Sequence, residues 1–136
     1  LIKYPKTFAA HPPYGFDGQF HWEWLNGIFP RGIMPMDIDA VIEYCGRFLI
    51  FETKDQGIAI PQGQYITLVR LTMALPELHV ILLWSKDAPR QYNVIKDGRL
   101  VFEVPRDTNT SDMQMRVMLW RRYAERNPGK SSFLIT

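Results

Sequence analysis

Asp39, Glu52 and Lys54 are the residues in this sequence whose types and spacing could do chemistry. They fall in Met36–Lys54, MDIDAVIEYCGRFLIFETK, which reads as two short strands around the break Cys45-Gly46-Arg47. Side chains alternate on a strand, so Asp37, Asp39, Val41 and Glu43 share one face of the first. Phe48, Ile50, Glu52 and Lys54 share a face of the second. A turn at Cys45-Gly46 pairs Asp39 with Glu52 and Asp37 with Lys54, whereas a turn at Gly46-Arg47 pairs Asp39 with Lys54. Either register collects acids and one lysine on the same face. Two carboxylates so close repel each other and favour a cation, and hard oxygen ligands suit Mg2+ or Mn2+. A neighbouring lysine can orient a water or stabilise charge growing on a phosphate. The competing explanation is a surface ion pair across a hairpin, which contributes little to stability.

The elements that must hold these residues can be read outward from the hairpin. Asp55-Gln56-Gly57 turns, and Pro61 suits the first turn of a helix. From Gln62 to Leu75 the apolar stripe Tyr65, Leu68, Val69, Met73, broadened by Ile66 and Leu71, predicts that helix, and Pro76 stops it. His79–Ser85, HVILLWS, has the continuous apolar character of a buried strand. Strand, helix and strand in this order predict a crossover connection. Asp97-Gly98 between NVIK and RLVFEV signals a second hairpin. A last helix, about Met113–Arg126 with Ser111 or Asp112 as cap, is expected to bury Met115, Met118, Leu119 and Trp120. Its Arg116, Arg121, Arg122 and Arg126, with Lys130 beyond, make this the most basic stretch, and clustered arginines suit phosphate oxygens.

Before the hairpin, residues 1–20 are rich in Pro, Gly and aromatics and read as an irregular arm. QFHWEWLNGIF, Gln19–Phe29, reads as a short helix ended near Asn26-Gly27. Glu23 on that segment is a candidate accessory metal ligand. His21 reads as a surface histidine, since no second histidine stands at metal spacing. The 136 residues form one domain with chain enough for a core, and 46% hydrophobic with 22% charged residues is globular composition. A single cysteine excludes an internal disulfide framework and fits a reducing, cytoplasmic setting. No apolar run approaches the roughly 20 residues of a membrane span, and no signal-peptide pattern opens the chain. The net charge of +2 points only weakly to nucleic acid.

Asp39, then Glu52-Thr53-Lys54 at the end of the following strand, then Gln64 near the start of the next helix resemble the PD-(D/E)XK nuclease superfamily. The layout is most similar to its small VRR-NUC-type and Holliday-junction-resolvase-like members. The resemblance covers about Arg31 to Ser85. It implies an α/β fold with a mixed central sheet flanked by helices, a restriction-endonuclease-like core, and divalent-metal-dependent hydrolysis of DNA phosphodiester bonds. By the same resemblance Asp39 and Glu52 are metal ligands, with the Thr53 main-chain carbonyl near the metal. Lys54 is the catalytic lysine, and Gln64 supports the site. The family's Pro-Asp pair is replaced here by Pro35-Met36-Asp37, which leaves Asp37 a second candidate ligand.

The expected organisation is a single domain, residues 1–136: arm and short helix over 1–30, catalytic core over 31–85, and hairpin plus basic helix as a variable cap over 86–136. The expected cofactor is Mg2+ or Mn2+. The expected partner is DNA, its backbone held by Arg121, Arg122, Arg126 and Lys130. Cutting both strands of a duplex with one small domain calls for a homodimer, two-fold by default. Two other readings stand beside this one. One is a non-catalytic DNA-binding module that keeps the nuclease fold. The other is a protein-binding role for the aromatics Tyr14, Phe16, Trp22 and Trp24.

Overall fold

A computed structural model describes residues 21–85, 90–104 and 108–133. The chain is an α/β fold in which one five-stranded mixed sheet carries two helices packed against it. The strands are β1 (Ala40–Tyr44), β2 (Arg47–Lys54), β3 (Leu78–Trp84), β4 (Gln91–Lys96) and β5 (Arg99–Val104). They lie in sequence order across the sheet. The pair β2–β3 is parallel, and the other three pairs are antiparallel. Helix α1 (Gln62–Ala74) makes the crossover between the parallel strands, and α2 (Thr110–Arg126) follows the last hairpin.

Both hairpins close through two-residue turns with left-handed backbone at both positions. Cys45 and Gly46 have φ of 53° and 74°, and Asp97 and Gly98 have φ of 53° and 77°. That backbone twist matches the twist of the strands it joins. Gly46 has a second reason to be glycine: a Cβ there would lie 2.7 Å from Ser132 N and 2.9 Å from Gly129 O. The turn at Cys45-Gly46 selects the first of the two registers, pairing Tyr44 with Arg47 and Ala40 with Phe51. One step further, Asp39 stands opposite Glu52.

Alternation along β2 separates two cores. Leu49 joins Ile81, Tyr92, Val94, Met113, Trp120 and Ala124 beneath α2. Its neighbour Ile50 joins Leu68, Leu78, Val80, Leu82 and Ile95 beneath α1. The segment expected to be a cap therefore belongs to the core, since β4 extends the sheet and α2 closes its second face.

Several expectations need correction. No α-helix forms in the described part of Gln19–Phe29. It holds a single 3-10 turn, Glu23–Leu25, and Pro30–Gly32 makes another. Neither buries a residue, so nothing repays helix nucleation there. Trp24 is exposed, its ring tilted 37° to that of Trp22 with the centroids 6.1 Å apart. Helix α2 begins earlier than expected, and its cap is Asn109, whose side chain accepts the Asp112 N–H at 2.8 Å. Its buried residues are Met113, Trp120 and Ala124, while Met115, Met118 and Leu119 are exposed. On α1 the buried pair is Leu68 and Thr72, and Met73 is exposed. The arm over residues 1–20, with Tyr14 and Phe16, lies outside the described residues. Among the described residues no helix is long and apolar enough to cross a membrane.

Candidate metal centre

The crossover dictates where the polar residues meet. β2 ends at Lys54, a loop returns over the same sheet face, and α1 enters with its first turn above the carboxyl ends of β2 and β3. Open α/β sheets characteristically place ligands at such an end. The loop is anchored where Ile58 N donates to Asp55 O at 3.1 Å and Trp84 Nε1 donates to Ile58 O at 2.7 Å. Ser85 N donates to Lys54 O at 2.9 Å, fixing the strand end.

Glu52 sits on the α1 face and is only 3% exposed. Its Oε1 accepts from Gln64 Nε2 at 2.7 Å and lies 3.4 Å from Lys54 Nζ. Its Oε2 is buried without a hydrogen-bond partner, as is Oε1 of Gln64. Burial first, then the charge of Asp39, push the Glu52 carboxyl above its ordinary pKa, while Lys54 and the Gln64 amide pull it down. Desolvation of the anion is thus incompletely answered by its donors.

Asp39 lies at the sheet edge, just before β1. Its Oδ2 accepts from Thr53 N at 2.7 Å and from Thr53 Oγ1 at 3.0 Å. The carboxylate thereby replaces a strand carbonyl in the ladder. A strand residue points its N–H and C=O to the same edge, and the next residue points to the other. Thr53 N–H faces Asp39, and Lys54 C=O faces β3, so the Thr53 carbonyl is directed to the Asp39 side.

The residues present fit a hard divalent cation. All the donors are oxygens, two of them carboxylates in register, and one buried carboxylate oxygen lacks a hydrogen-bond partner. Among the described residues no three Asp, Glu, His or Cys side chains gather in metal-binding geometry. A cation held here would therefore take Asp39, Glu52, the Thr53 carbonyl and water. Comparison with protein-family models, with curated proteins and with solved structures gave no match.

The structure thus brings together Asp39, Glu52, Thr53, Lys54 and Gln64. It does not bring in the others. Asp37 is exposed, and Glu23 pairs loosely with His21 at 4.0 Å on its own 3-10 turn. Arg121, Arg122 and Arg126 are on α2, beneath the opposite sheet face. The end of α2 and the residues after it tie to the β1–β2 turn and the strand ends beside it: Tyr44 Oη donates to Glu125 at 2.8 Å, Arg47 Nε donates to Asn127 O, and Gly129 N donates to Cys45 O at 2.8 Å. At about 3.3 Å per residue, Arg47 is about 23 Å along the strand from Lys54. The basic stretch, Lys130 included, is a separate surface.

One site neighbour is absent from the sequence reading. Glu52 pairs with Leu82 and Leu82 with Asn93, so Asn93 stands in the same cross-strand row and on the same face. Its Oδ1 is a further buried, unpartnered oxygen. The available signal was an amide inside the otherwise apolar strand core of β4.

Proposed function

We propose that this chain is a metal-dependent nuclease that hydrolyses DNA phosphodiester bonds, with a restriction-endonuclease-like arrangement of sheet and crossover helix. One observation carries the reading: the buried Glu52 carboxylate, gripped on one oxygen by Gln64 and Lys54, with Asp39 beside it in register. A surface ion pair needs neither the burial nor the second carboxylate.

In this mechanism Asp39 and Glu52, with the Thr53 carbonyl, would hold Mg2+ or Mn2+. The bound ion supplies charge neutralisation at the phosphate and an acidified water. Gln64 donates to one Glu52 oxygen and so fixes the direction of the other. Thr53 pins Asp39 by two hydrogen bonds, which removes its rotamer freedom before substrate arrives. Lys54 has an ammonium with three donors. One is directed to Glu52, and the others can orient the attacking water or stabilise a phosphate oxygen as negative charge grows there. Backbone contacts of this kind bind without reading bases.

The test is cleavage of a panel of labelled duplex, junction, flap and single-stranded DNAs, with Mg2+, with Mn2+ and with chelator. Metal-dependent cleavage is expected, and Lys54→Ala should lose at least about 100-fold of the rate, the usual scale for removing an acid–base or charge-stabilising group. Its far-ultraviolet circular dichroism should remain that of the parent, because Lys54 is a partly exposed end-of-strand residue, while its thermal midpoint falls somewhat as Glu52 loses its ammonium neighbour. Full cleavage by a clean Lys54→Ala preparation overturns the mechanism. Binding of DNA without turnover in either metal would favour the non-catalytic module instead.

A further inference from the structure

Away from the residues that pack on the sheet, α2 carries a pattern that the candidate metal centre does not use, along the rim of its cleft with β4 and β5. Four residues of this helix, Met113, Val117, Trp120 and Ala124, face the sheet. Beside them Asp112, Met115, Leu119 and Arg122 form a second stripe with spacings of three, four and three. That is the a/d rhythm of a helix–helix seam. Met115 is 52% and Leu119 45% exposed, with Met118 beside them at 41%. Among the described residues the Asp112 carboxylate accepts only from the Thr108 hydroxyl, at 3.4 Å, and Arg122 makes no ion pair.

The stripe is a palindrome in spacing and self-complementary in charge: acid, apolar, apolar, base. We propose that α2 pairs antiparallel with α2 of a second copy of this chain, about a two-fold axis at the level of Val117. In that register Met115 meets the partner's Leu119 twice, and Asp112 meets the partner's Arg122 twice. A parallel pairing would instead stack acid on acid and base on base. Antiparallel packing also sets the two helix dipoles head to tail, which favours the same choice. Complementary end charges around an apolar centre are what fix orientation in helix pairs. A two-fold interface requires this self-complementarity, residue i touching j while j touches i. The inference stands apart from the nuclease reading, since it uses the opposite face of the sheet, and mass rather than cleavage tests it.

Sedimentation velocity on the full chain, over a concentration series, should show the mass rising from 15.9 kDa towards twice that value. Leu119→Glu puts a charge at the centre of the seam and should weaken association by about 100-fold or more. Because Leu119 is exposed in the single chain, circular dichroism of that variant should remain that of the parent. The orientation is tested by charge reversal. Asp112→Arg and Arg122→Asp alone should each weaken the dimer by about tenfold, and the double variant should recover it. A chain that stays monomeric throughout the series, or a dimer indifferent to Leu119→Glu, overturns the proposal. A double variant no tighter than either single one overturns the antiparallel pairing.

Discussion

A carboxylate with one oxygen tied to an amide and an ammonium, and the other buried without a donor, is stabilised by whatever cation or proton reaches it. The Glu52 carboxyl is raised by burial and by Asp39. A raised acid holds its proton in the folded chain at a pH where the unfolded chain has released it, so stability falls as pH rises through that range. Glu52→Gln, which keeps the acceptor for Gln64 and removes the charge, should therefore raise the thermal midpoint at neutral pH without metal. Mg2+ should raise the parent's midpoint by linkage and leave that of Glu52→Gln unmoved. Equal responses of the two proteins to Mg2+ would place the ion elsewhere. His79 gives the opposite case on the α2 face. Burial, followed by the charges of Lys96 and Arg47, lowers its pKa from 6.5 to about 4, and its Nδ1 is buried without a partner. The fold favours neutral imidazole, so its contribution is full above pH 6.5 and is lost as pH falls towards 4. Urea midpoints measured across that window should drop in the parent and drop less in His79→Phe, which keeps the ring that meets Tyr123 at 5.6 Å. Parallel curves for the two would remove His79 as the cause.

At the scale of elements, local chemistry decides which readings hold. Cys45-Gly46 and Asp97-Gly98 can take left-handed backbone, so both hairpins are legible from the sequence. Pro61 and Pro76 bracket α1, and the apolar run of β3 leaves little choice. The site follows from these: once the turn fixes the register, Asp39 must face Glu52, and the crossover brings Gln64 back over it. The misreadings come from treating large apolar residues as buried residues. On α2 the sheet takes Ala124 and Val117, because the backbone must come close, and leaves Met115 and Leu119 outside. On α1 it takes Thr72, which is fully buried, in preference to Met73. Thr72 Oγ1 donates to Val69 O at 2.8 Å and accepts the Gly98 N–H at 2.9 Å, so one hydroxyl fastens the helix to the β4–β5 turn. No periodicity reveals that bond, since it joins residues 26 apart. Thr72→Val preserves shape but leaves the Gly98 N–H without its acceptor, and should cost about 1–3 kcal/mol in urea unfolding. Thr72→Ser, which keeps the oxygen, should cost less. A valine variant as stable as the parent would show that solvent satisfies the turn.

For the whole molecule, the question is whether two cores separated by a sheet behave as one. Leu49 and Leu68 are both fully buried, the first beneath α2 and the second in the α1 core. Leu49 is adjacent on β2 to Ile50, which packs in the α1 core, so neither core can open without disturbing the strand both use. The sequence shows the parts of this arrangement but not their sharing. The residues of the candidate metal centre that are legible in the sequence, Asp39 to Gln64, all fall within residues 31–85, which makes the rest look like an appendage. Only the pairing of β3 with β4 shows that residues 91–96 complete the core over the site as well as the core behind it. Leu49→Ala and Leu68→Ala should each lower stability by about 2–5 kcal/mol, the range for emptying a closely packed leucine site. Because the cores are coupled through β2 and β3, each variant should still unfold in one transition. Tryptophan fluorescence, to which the buried Trp120 contributes, and far-ultraviolet circular dichroism should give the same midpoint. If Leu68→Ala unfolds in two steps, so that the two midpoints diverge, the α1 side opens independently; Trp84, which packs on the α1 core, would report the first step and Trp120 the second. The candidate metal centre would then rest on a unit separable from α2.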